Sequence, residues 1–325
     1  QCEQLNTATL KAAPIGAVFF WPKVLFNGPM KTFDFFYSID GYPELCNADP
    51  SALLSDRGLS YGHGLFETIN YNNSSFPLKH RHLSRMCKDA AELSINTNEK
   101  KLDGYLSKFH DILVNHKFTE GVVKIIVSAG SGGRGYQNPE NISPNVIFRY
   151  SPIPAEGNLQ RDHGVNLWRC AHQLALNKPL AGIKHLNRLD QVLARNEVHP
   201  NECDDGLMFD TNDCLVETTS ANVFLKTQSQ GWTTPDLSLC GVSGVMRSVL
   251  IDEIFPALQL GVRINSLTER ELSAATEIFI CNSVKGIVPV TGILNQDQSE
   301  VKPITIGSNT RDLQLMLAQL YSCFK

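Results

Sequence analysis

Lys184 is the residue whose setting says most about chemistry. It follows Gly182 and Ile183 and stands just ahead of a helical pattern in which Leu186, Leu189 and Leu193 recur at three- and four-residue steps and share a face. Arg188, Asp190, Gln191 and Arg195 fall largely elsewhere. An amine mounted at a helix start, on backbone packed along one side, has a fixed position and a tunable charge; the alternative is a solvated loop lysine. Glu217, between Val216 and Thr218 in an apolar run, reads as a buried carboxylate or as an edge-strand glutamate in water. Residues 240–247, Cys-Gly-Val-Ser-Gly-Val-Met-Arg, lead into an apolar helix over 249–258. A glycine-led helix start offers free N–H groups and a positive dipole end, which suits a phosphate. A second glycine-rich stretch, 130–136, also follows a strand. It lacks both Gly-Lys-Ser/Thr and the spacing of a dinucleotide turn, so it does not read as a nucleotide loop.

The elements that must position these groups are legible in outline. Residues 33–41 read as a strand entering a turn, and 65–71 as a strand fed by a tight loop containing Gly58, Gly62 and Gly64. Residues 78–93 form a helix pattern with Leu83, Met86, Ala90 and Leu93 on one face; it carries Arg85, which alone could be a surface arginine beside Asp89. A helix over 102–116 leads to a strand over 121–128. Pro152, Pro154 and Gly157 mark 151–157 as a linker. Strand 164–170, the strand–turn–strand region 204–225, and a strand over 277–281 that delivers Asn282 and Ser283 come after it. The expected division is an N-terminal extension of no assigned role over 1–32, a small α/β domain over 33–150, the linker, and a larger domain over 158–325.

Composition narrows the function classes. With 325 residues, 42% hydrophobic and 19% charged, the chain can build a sizeable core. A net charge of -4 without long single-sign runs argues against nucleic-acid binding and for a small-molecule partner. The 9 cysteines are scattered with no C-x-x-C pair, which favours reduced thiols over a disulfide frame or a zinc site. His80 and His82 have no further ligand at metal spacing, so no metal is expected. The apolar run over 15–21 is too short to span a bilayer, and Trp21-Pro22-Lys23 is not a signal cleavage site. A cytoplasmic protein without membrane attachment is the expectation.

Several separated motifs resemble, in order, the fold-type IV enzymes that use pyridoxal phosphate, a group including aminodeoxychorismate lyases and branched-chain and D-amino-acid aminotransferases. They are Asp56-Arg57-Gly58 with Gly62-His63-Gly64-Leu65-Phe66-Glu67, the helix carrying Arg85, Ser131-Gly132-Gly133-Arg134-Gly135-Tyr136, Gly182-Ile183-Lys184-His185-Leu186-Asn187-Arg188-Leu189, and Leu215-Val216-Glu217 with Ser220-Ala221-Asn222-Val223-Phe224. His63 stands where an aspartate is usual. The likeness covers about residues 35–321, and the Arg134 and Lys184 stretches are the ones most similar to the lyases.

The resemblance implies an α/β (α+β) two-domain fold, a small α/β domain plus a larger one with mixed sheets, with pyridoxal 5'-phosphate between them. It implies that Lys184 carries the cofactor and acts as base, and that Glu217 pairs with the pyridine nitrogen. Arg85, the backbone of Val245 and Met246, and Asn282 with Ser283 would hold the phosphate. Phe66 would face the active site, although a core position is equally consistent with its residue type. Arg134 would hold a substrate carboxylate, reaching across the interface of a homodimer. The implied reaction converts 4-amino-4-deoxychorismate to 4-aminobenzoate and pyruvate, a step of folate biosynthesis. An aminotransferase of D- or branched-chain amino acids is the alternative, and a non-catalytic protein that holds the cofactor is a third reading.

Overall fold

In the computed structural model, residues 35–39, 42–44, 54–132, 135–138, 143–153, 157–199, 202–295 and 303–325 are described. Residues 33–325 form one compact unit, and 1–32 are a separate one, outside the described residues. Arg134 also lies outside them.

The first sheet has the order β2-β1-β5-β4-β3, from β1 (Phe35–Ile39), β2 (Tyr42–Glu44), β3 (Gly64–Tyr71), β4 (Gly121–Ser128) and β5 (Asn145–Ser151). Strands β3, β4 and β5 are antiparallel, and β1 runs parallel to β5. The two-residue period sends Leu65, Ile69 and Tyr71, Val123, Ile125 and Val127, and Val146, Phe148 and Tyr150 into one buried cluster. The opposite face presents Phe66, Thr68, Lys124, Ile126 and Arg149. Residues 55–69 contain more than the expected loop. A short helix, α1 (Arg57–Tyr61), starts where the Asp56 side chain accepts from the amides of Gly58 and Leu59, and stops at Gly62, whose φ of 68° is the left-handed conformation that glycine tolerates.

Helices α2 (Lys79–Glu92) and α3 (Glu99–Asn115) cover the buried face. The expected apolar stripe of α2 is there, with Leu83, Met86 and Ala90 buried, and α3 adds Leu102, Leu106, Phe109 and Leu113. Burying a side chain of this size stabilises by roughly 1.5–3 kcal/mol, so the stripe fixes the rotation of α2. The same rotation turns His82 and Asp89 inward and brings Arg85 to Glu67, midway along β3.

The second sheet has the order β11-β10-β9-β12-β13-β6-β7-β8. Its strands are β6 (Val165–Leu174), β7 (Asp205–Asp210), β8 (Leu215–Thr218), β9 (Asn222–Thr227), β10 (Gly231–Pro235), β11 (Val262–Asn265), β12 (Ala275–Asn282) and β13 (Gly286–Leu294). A further pairing of β8 with β9, at Glu217 opposite Asn222, closes six of these strands into a ring. Val165, Leu167, Leu207, Phe209, Leu215, Val223, Leu225, Ile278, Ile280, Val288 and Val290 belong to one buried cluster of these strands. The remaining helices are α4 (Gly157–His163), α5 (Leu189–Glu197), α6 (Val245–Val249, continuing through a π turn at Leu250–Ile254 to Ala257), α7 (Glu269–Ser273) and α8 (Ser308–Leu320). None of the described helices is long and apolar enough to cross a membrane.

One expectation is corrected. Helix α5 begins at Leu189, after the lysine turn, and its leucine face is not packed: Leu189 is 74% and Leu193 51% exposed, and Ala194 is its buried residue. The backbone around Lys184 is therefore fixed by something other than packing of Leu189 and Leu193.

Candidate active site

Hydrogen bonds from three directions fix the lysine turn. The Lys184 carbonyl accepts from the Phe66 amide at 3.0 Å, and the Leu186 amide donates to the Gly64 carbonyl at 2.9 Å, so the lysine turn pairs antiparallel with the free edge of β3. The Lys184 amide donates to the Asp89 carboxylate of α2 at 3.3 Å. Arg188 donates to the carbonyls of Ile183 and His185, both at 2.8 Å. The glycines of the α1–β3 motif leave room for Leu186 and Asn187. A Cβ on Gly64 or Gly58 would lie 2.7 or 3.2 Å from Leu186 Cδ1, and one on Gly62 would overlap the Asn187 side chain.

The lysine turn forms one wall of a cavity of about 340 Å³. Phe66 and Thr68 of β3, Arg85 of α2, Glu217 and Thr218 of β8, Val245 and Met246 of α6, and Asn282 and Ser283 at the end of β12 line it, with Arg188 and Gln191. Apart from Arg134, every site candidate named from the sequence thus borders one space. Phe66 is not packed into the core: its ring centroid lies 4.3 Å from Lys184 Nζ and 4.6 Å from Lys124 Nζ.

Burial, reinforced by the positive charges of Arg85 and Arg188, pulls the Lys184 ammonium down to about 8. Glu67 and Glu217 pull the other way without prevailing. Glu217 accepts from the Val242 amide at 2.9 Å and from Gln191 Nε2 at 3.3 Å. Burial nevertheless pushes its carboxyl above the usual range, against the Val242 amide, Arg188 and Lys184.

Arg85 is held rather than free. Its Nε donates to Glu67 Oε1 at 2.7 Å, its Nη2 donates to Glu67 Oε2 at 2.5 Å, and its Nη1 donates to the Ser243 carbonyl at 2.7 Å. His82 Nδ1 lies 2.6 Å from Glu67 Oε2. Burial alone would raise the Glu67 carboxyl, but the Arg85 guanidinium and the His82 ring outweigh it and hold it at about 2. The guanidinium fork keeps further N–H bonds, one on each terminal nitrogen, for another acceptor. Asn282 turns its side-chain oxygen into the β12–β13 turn, where it accepts from the amides of Val284 and Lys285. Ser283 is buried, and its hydroxyl has no hydrogen-bond partner among the described residues.

His63, the departure from the expected motif, has a structural task. Its Nε2 lies 2.8 Å from the Leu93 carbonyl, so that nitrogen donates, and its Nδ1 accepts from Arg57 Nε at 3.2 Å. Arg57 also donates to the carbonyls of Gly135, Tyr136 and Gln137, tying α1 to the glycine-rich loop.

Sequence reasoning missed Arg188, Gln191 and Lys124. The first pair had a signal, since Arg188 caps α5 and Gln191 follows three residues later, on the same side of the helix start. Lys124 had one too: a lone charge in the strand Gly121–Ser128 faces away from Val123 and Ile125. It stands opposite Arg149 on β5, and no carboxylate pairs with it among the described residues.

Residues 64–293 match the amino-transferase class IV family, and the chain belongs to that family. It is an enzyme with the fold-type IV architecture: an α/β chain with a small sheet covered by helices and a larger mixed sheet. Its likeness extends to lyases of that class. It is 33% identical over 263 residues to the aminodeoxychorismate lyase of Vibrio harveyi, covering 80% of this chain and 93% of the relative. The 4-amino-4-deoxychorismate lyase of Pseudomonas aeruginosa has 38% sequence identity and a TM-score of 0.75, over 86% of this chain and 97% of its own. The branched-chain amino acid aminotransferase of Escherichia coli, at 20% identity and a TM-score of 0.70 over 84% and 90% of the two chains, shares the fold.

Proposed function

We propose that the protein binds pyridoxal 5'-phosphate at Lys184 and is a lyase that converts 4-amino-4-deoxychorismate to 4-aminobenzoate and pyruvate. The observation that carries this reading is the meeting, in one cavity, of an amine brought down to about 8, a buried carboxylate and a partly occupied guanidinium fork from three remote parts of the chain. The likeness to two lyases selects the reaction.

The residues present fit the cofactor. Arg85, the first amides of α6 at Val245 and Met246, and the Ser283 hydroxyl would hold its phosphate, with Asn282 contributing through backbone. Lys184 would carry it covalently, Phe66 would flank the lysine, and Glu217 would face its pyridine nitrogen. When bound, the cofactor supplies an electron sink that permits heterolysis of a C–H bond beside an amine. Lys184 takes the proton from the amine-bearing carbon and returns one to the departing enolpyruvyl group, which leaves as pyruvate while the ring becomes aromatic. Its suppressed basicity suits both transfers near neutral pH. With the cofactor bound, Glu217 would be held ionised by pairing with the protonated ring nitrogen, which would offset the cost of its burial. Arg134 would hold a substrate carboxylate, with its loop anchored by Arg57.

We also propose a homodimer. Leu189, Val192 and Leu193 of α5 and Leu59 and Tyr61 of α1 are exposed apolar residues, and α1 abuts the segment that leads into α5. A division into domains over 33–150 and 158–325, joined at 151–157, is supported by the grouping of β1–β5 in one sheet and β6–β13 in the other. A cytoplasmic setting suits the cysteines, which are unpaired among the described residues.

The test is to mix the enzyme with aminodeoxychorismate and follow 4-aminobenzoate with no keto acid added. Its appearance at catalytic rate is expected. Its absence, together with amino transfer from a D- or branched-chain amino acid to 2-oxoglutarate, would replace the lyase with the aminotransferase.

A further inference from the structure

Arg188 is unlike the other arginines near the cavity. Arg85 is neutralised by Glu67, and Arg247 is buried against Thr234 and the Pro235 carbonyl, away from the lysine. Arg188 has no carboxylate within ion-pair distance among the described residues. Its Nε donates to the His185 carbonyl and its Nη2 to the Ile183 carbonyl, one on each side of Lys184. The guanidinium therefore closes a clip around the lysine from only a few residues downstream, while the side chain borders the same cavity as Lys184, Gln191 and Glu217. Its Nη1 has no hydrogen-bond partner among the described residues.

We propose that Arg188 is the positioning residue of Lys184: a fixed cation, clipped across the two carbonyls that flank the lysine, which sets the direction of the side chain and lays a positive charge along the cavity it enters. The planar fork matters because it reaches both carbonyls from rigid geometry, which an ammonium on a flexible stem cannot reproduce. The charge matters because Arg188 acts on both functional groups of the cavity. It disfavours the protonated form of Lys184 and favours the ionised form of Glu217. Arg85 acts on the lysine in the same direction as Arg188, and Glu67 and Glu217 oppose it; buried His82, and Lys124 across the Phe66 ring, also face it. His185 is already pushed down to about 4, by burial and then by Arg188, so it is neutral across the range where Lys184 titrates. Asp89 secures the lysine amide, so the clip and the α2 carboxylate together satisfy the backbone on both sides of the reactive side chain.

This inference rests on the reading of Lys184 as the cofactor lysine, and its test avoids turnover. Apoprotein is pulse-labelled with acetic anhydride across pH 6–10 and the Lys184 peptide is quantified by mass spectrometry, in wild type, Arg188→Gln and Arg188→Lys. Amide exchange of residues 183–186 is measured in parallel. In wild type the labelling midpoint falls near 8. Arg188→Gln raises it by about one pH unit, which cuts the neutral amine at pH 7.5 about eightfold. Arg188→Lys keeps the charge and so the midpoint, but loses the fork and speeds exchange of the 183–186 amides. A wild-type midpoint in Arg188→Gln overturns the electrostatic half of the proposal, and unchanged exchange in Arg188→Lys overturns the clip. If Arg188→Gln does not fold, Arg188→Lys decides: a preserved midpoint with faster exchange supports the proposal, and any other combination overturns it. Failure of wild-type apoprotein to take up pyridoxal phosphate would remove the cofactor reading while leaving the labelling result to stand by itself.

Discussion

Glu67→Gln isolates the electrostatics of the site with almost no change in shape. Glu67 is buried, with its side chain 1% exposed, and its two oxygens accept from Arg85 Nε, Arg85 Nη2 and His82 Nδ1. Glutamine removes the charge and turns one acceptor into an N–H group that faces donors. A carboxyl held at about 2 rather than its ordinary 4.5 corresponds to roughly 3 kcal/mol of extra stability for the charged form. Breaking a buried ion pair from one side typically costs about 3–5 kcal/mol, because the partner charge is left without compensation. The two routes agree, and for a chain of 325 residues roughly 3 kcal/mol lowers the melting temperature by roughly 4–5 °C. Because folding lowers the Glu67 pKa, the stabilisation is fully present above pH 4.5 and is lost as pH falls from there toward 2. The assay is thermal unfolding of wild type and Glu67→Gln at pH 7 and pH 3.5, with pyridoxal phosphate affinity measured at pH 7. The expected results are a large gap at pH 7, a smaller gap at pH 3.5, and weaker cofactor binding as Arg85 loses its anchor. Equal melting temperatures at pH 7, or a gap that does not shrink in acid, would refute the charge argument.

The rate at which apoprotein gains visible absorbance on adding pyridoxal phosphate should rise about tenfold from pH 7 to pH 9, because an amine titrating at about 8 is about one-eleventh neutral at the lower pH and about ten-elevenths at the higher; a flat profile argues against Lys184 as the attacking group. Lys124 lies across the Phe66 ring from Lys184; if it reaches a carboxylate of the dicarboxylate substrate, Lys124→Met should raise KM about tenfold or more, the value of one charge-assisted hydrogen bond of about 1.5–3 kcal/mol, and should weaken the salt dependence of kcat/KM. An unchanged KM would leave Lys124 only its contact with Phe66. Leu189→Asp combined with Leu193→Asp should yield a folded monomer in sedimentation velocity, since neither leucine is packed within its own chain; an unchanged sedimentation coefficient would exclude α5 from the interface.

Much of the architecture was written in short-range patterns. The leucine stripe of α2, the alternation of β4 and the Asp/Asn turn before β8 each report a period or a turn chemistry that a few adjacent residues determine. Helix α1 was not legible, because a five-residue helix has too few positions to display a period, and its cap is an aspartate that also holds Ser128 and Asn145. Ring closure through Glu217 and Asn222 was not legible either, since the hydrophobic pattern of β8 is the same whether or not its free edge is paired. The role of His63 depends on an arginine six residues away and a carbonyl thirty residues away, and no local rule links them.

The mounting of Lys184 shows why its flanking pattern misled. A recurring leucine face next to a reactive lysine invites the inference that packing holds the lysine still, yet Leu189 and Leu193 point outward. Immobility comes instead from polar contacts supplied by β3, α2 and Arg188, with the side chains of Leu186 and Asn187 seated where Gly58, Gly62 and Gly64 leave space. The glycines of one motif are therefore the receptor for the residues of another, more than a hundred positions later. An added methyl at Gly62 meets two penalties at once, a left-handed backbone and the Asn187 side chain. The turn thus leaves Leu189 and Leu193 unpacked within the chain, so the same helix can follow Lys184 at one end and keep an apolar face for the second copy of the proposed dimer. A packed stripe would have fixed the lysine equally well but would have left α5 with no apolar surface to offer.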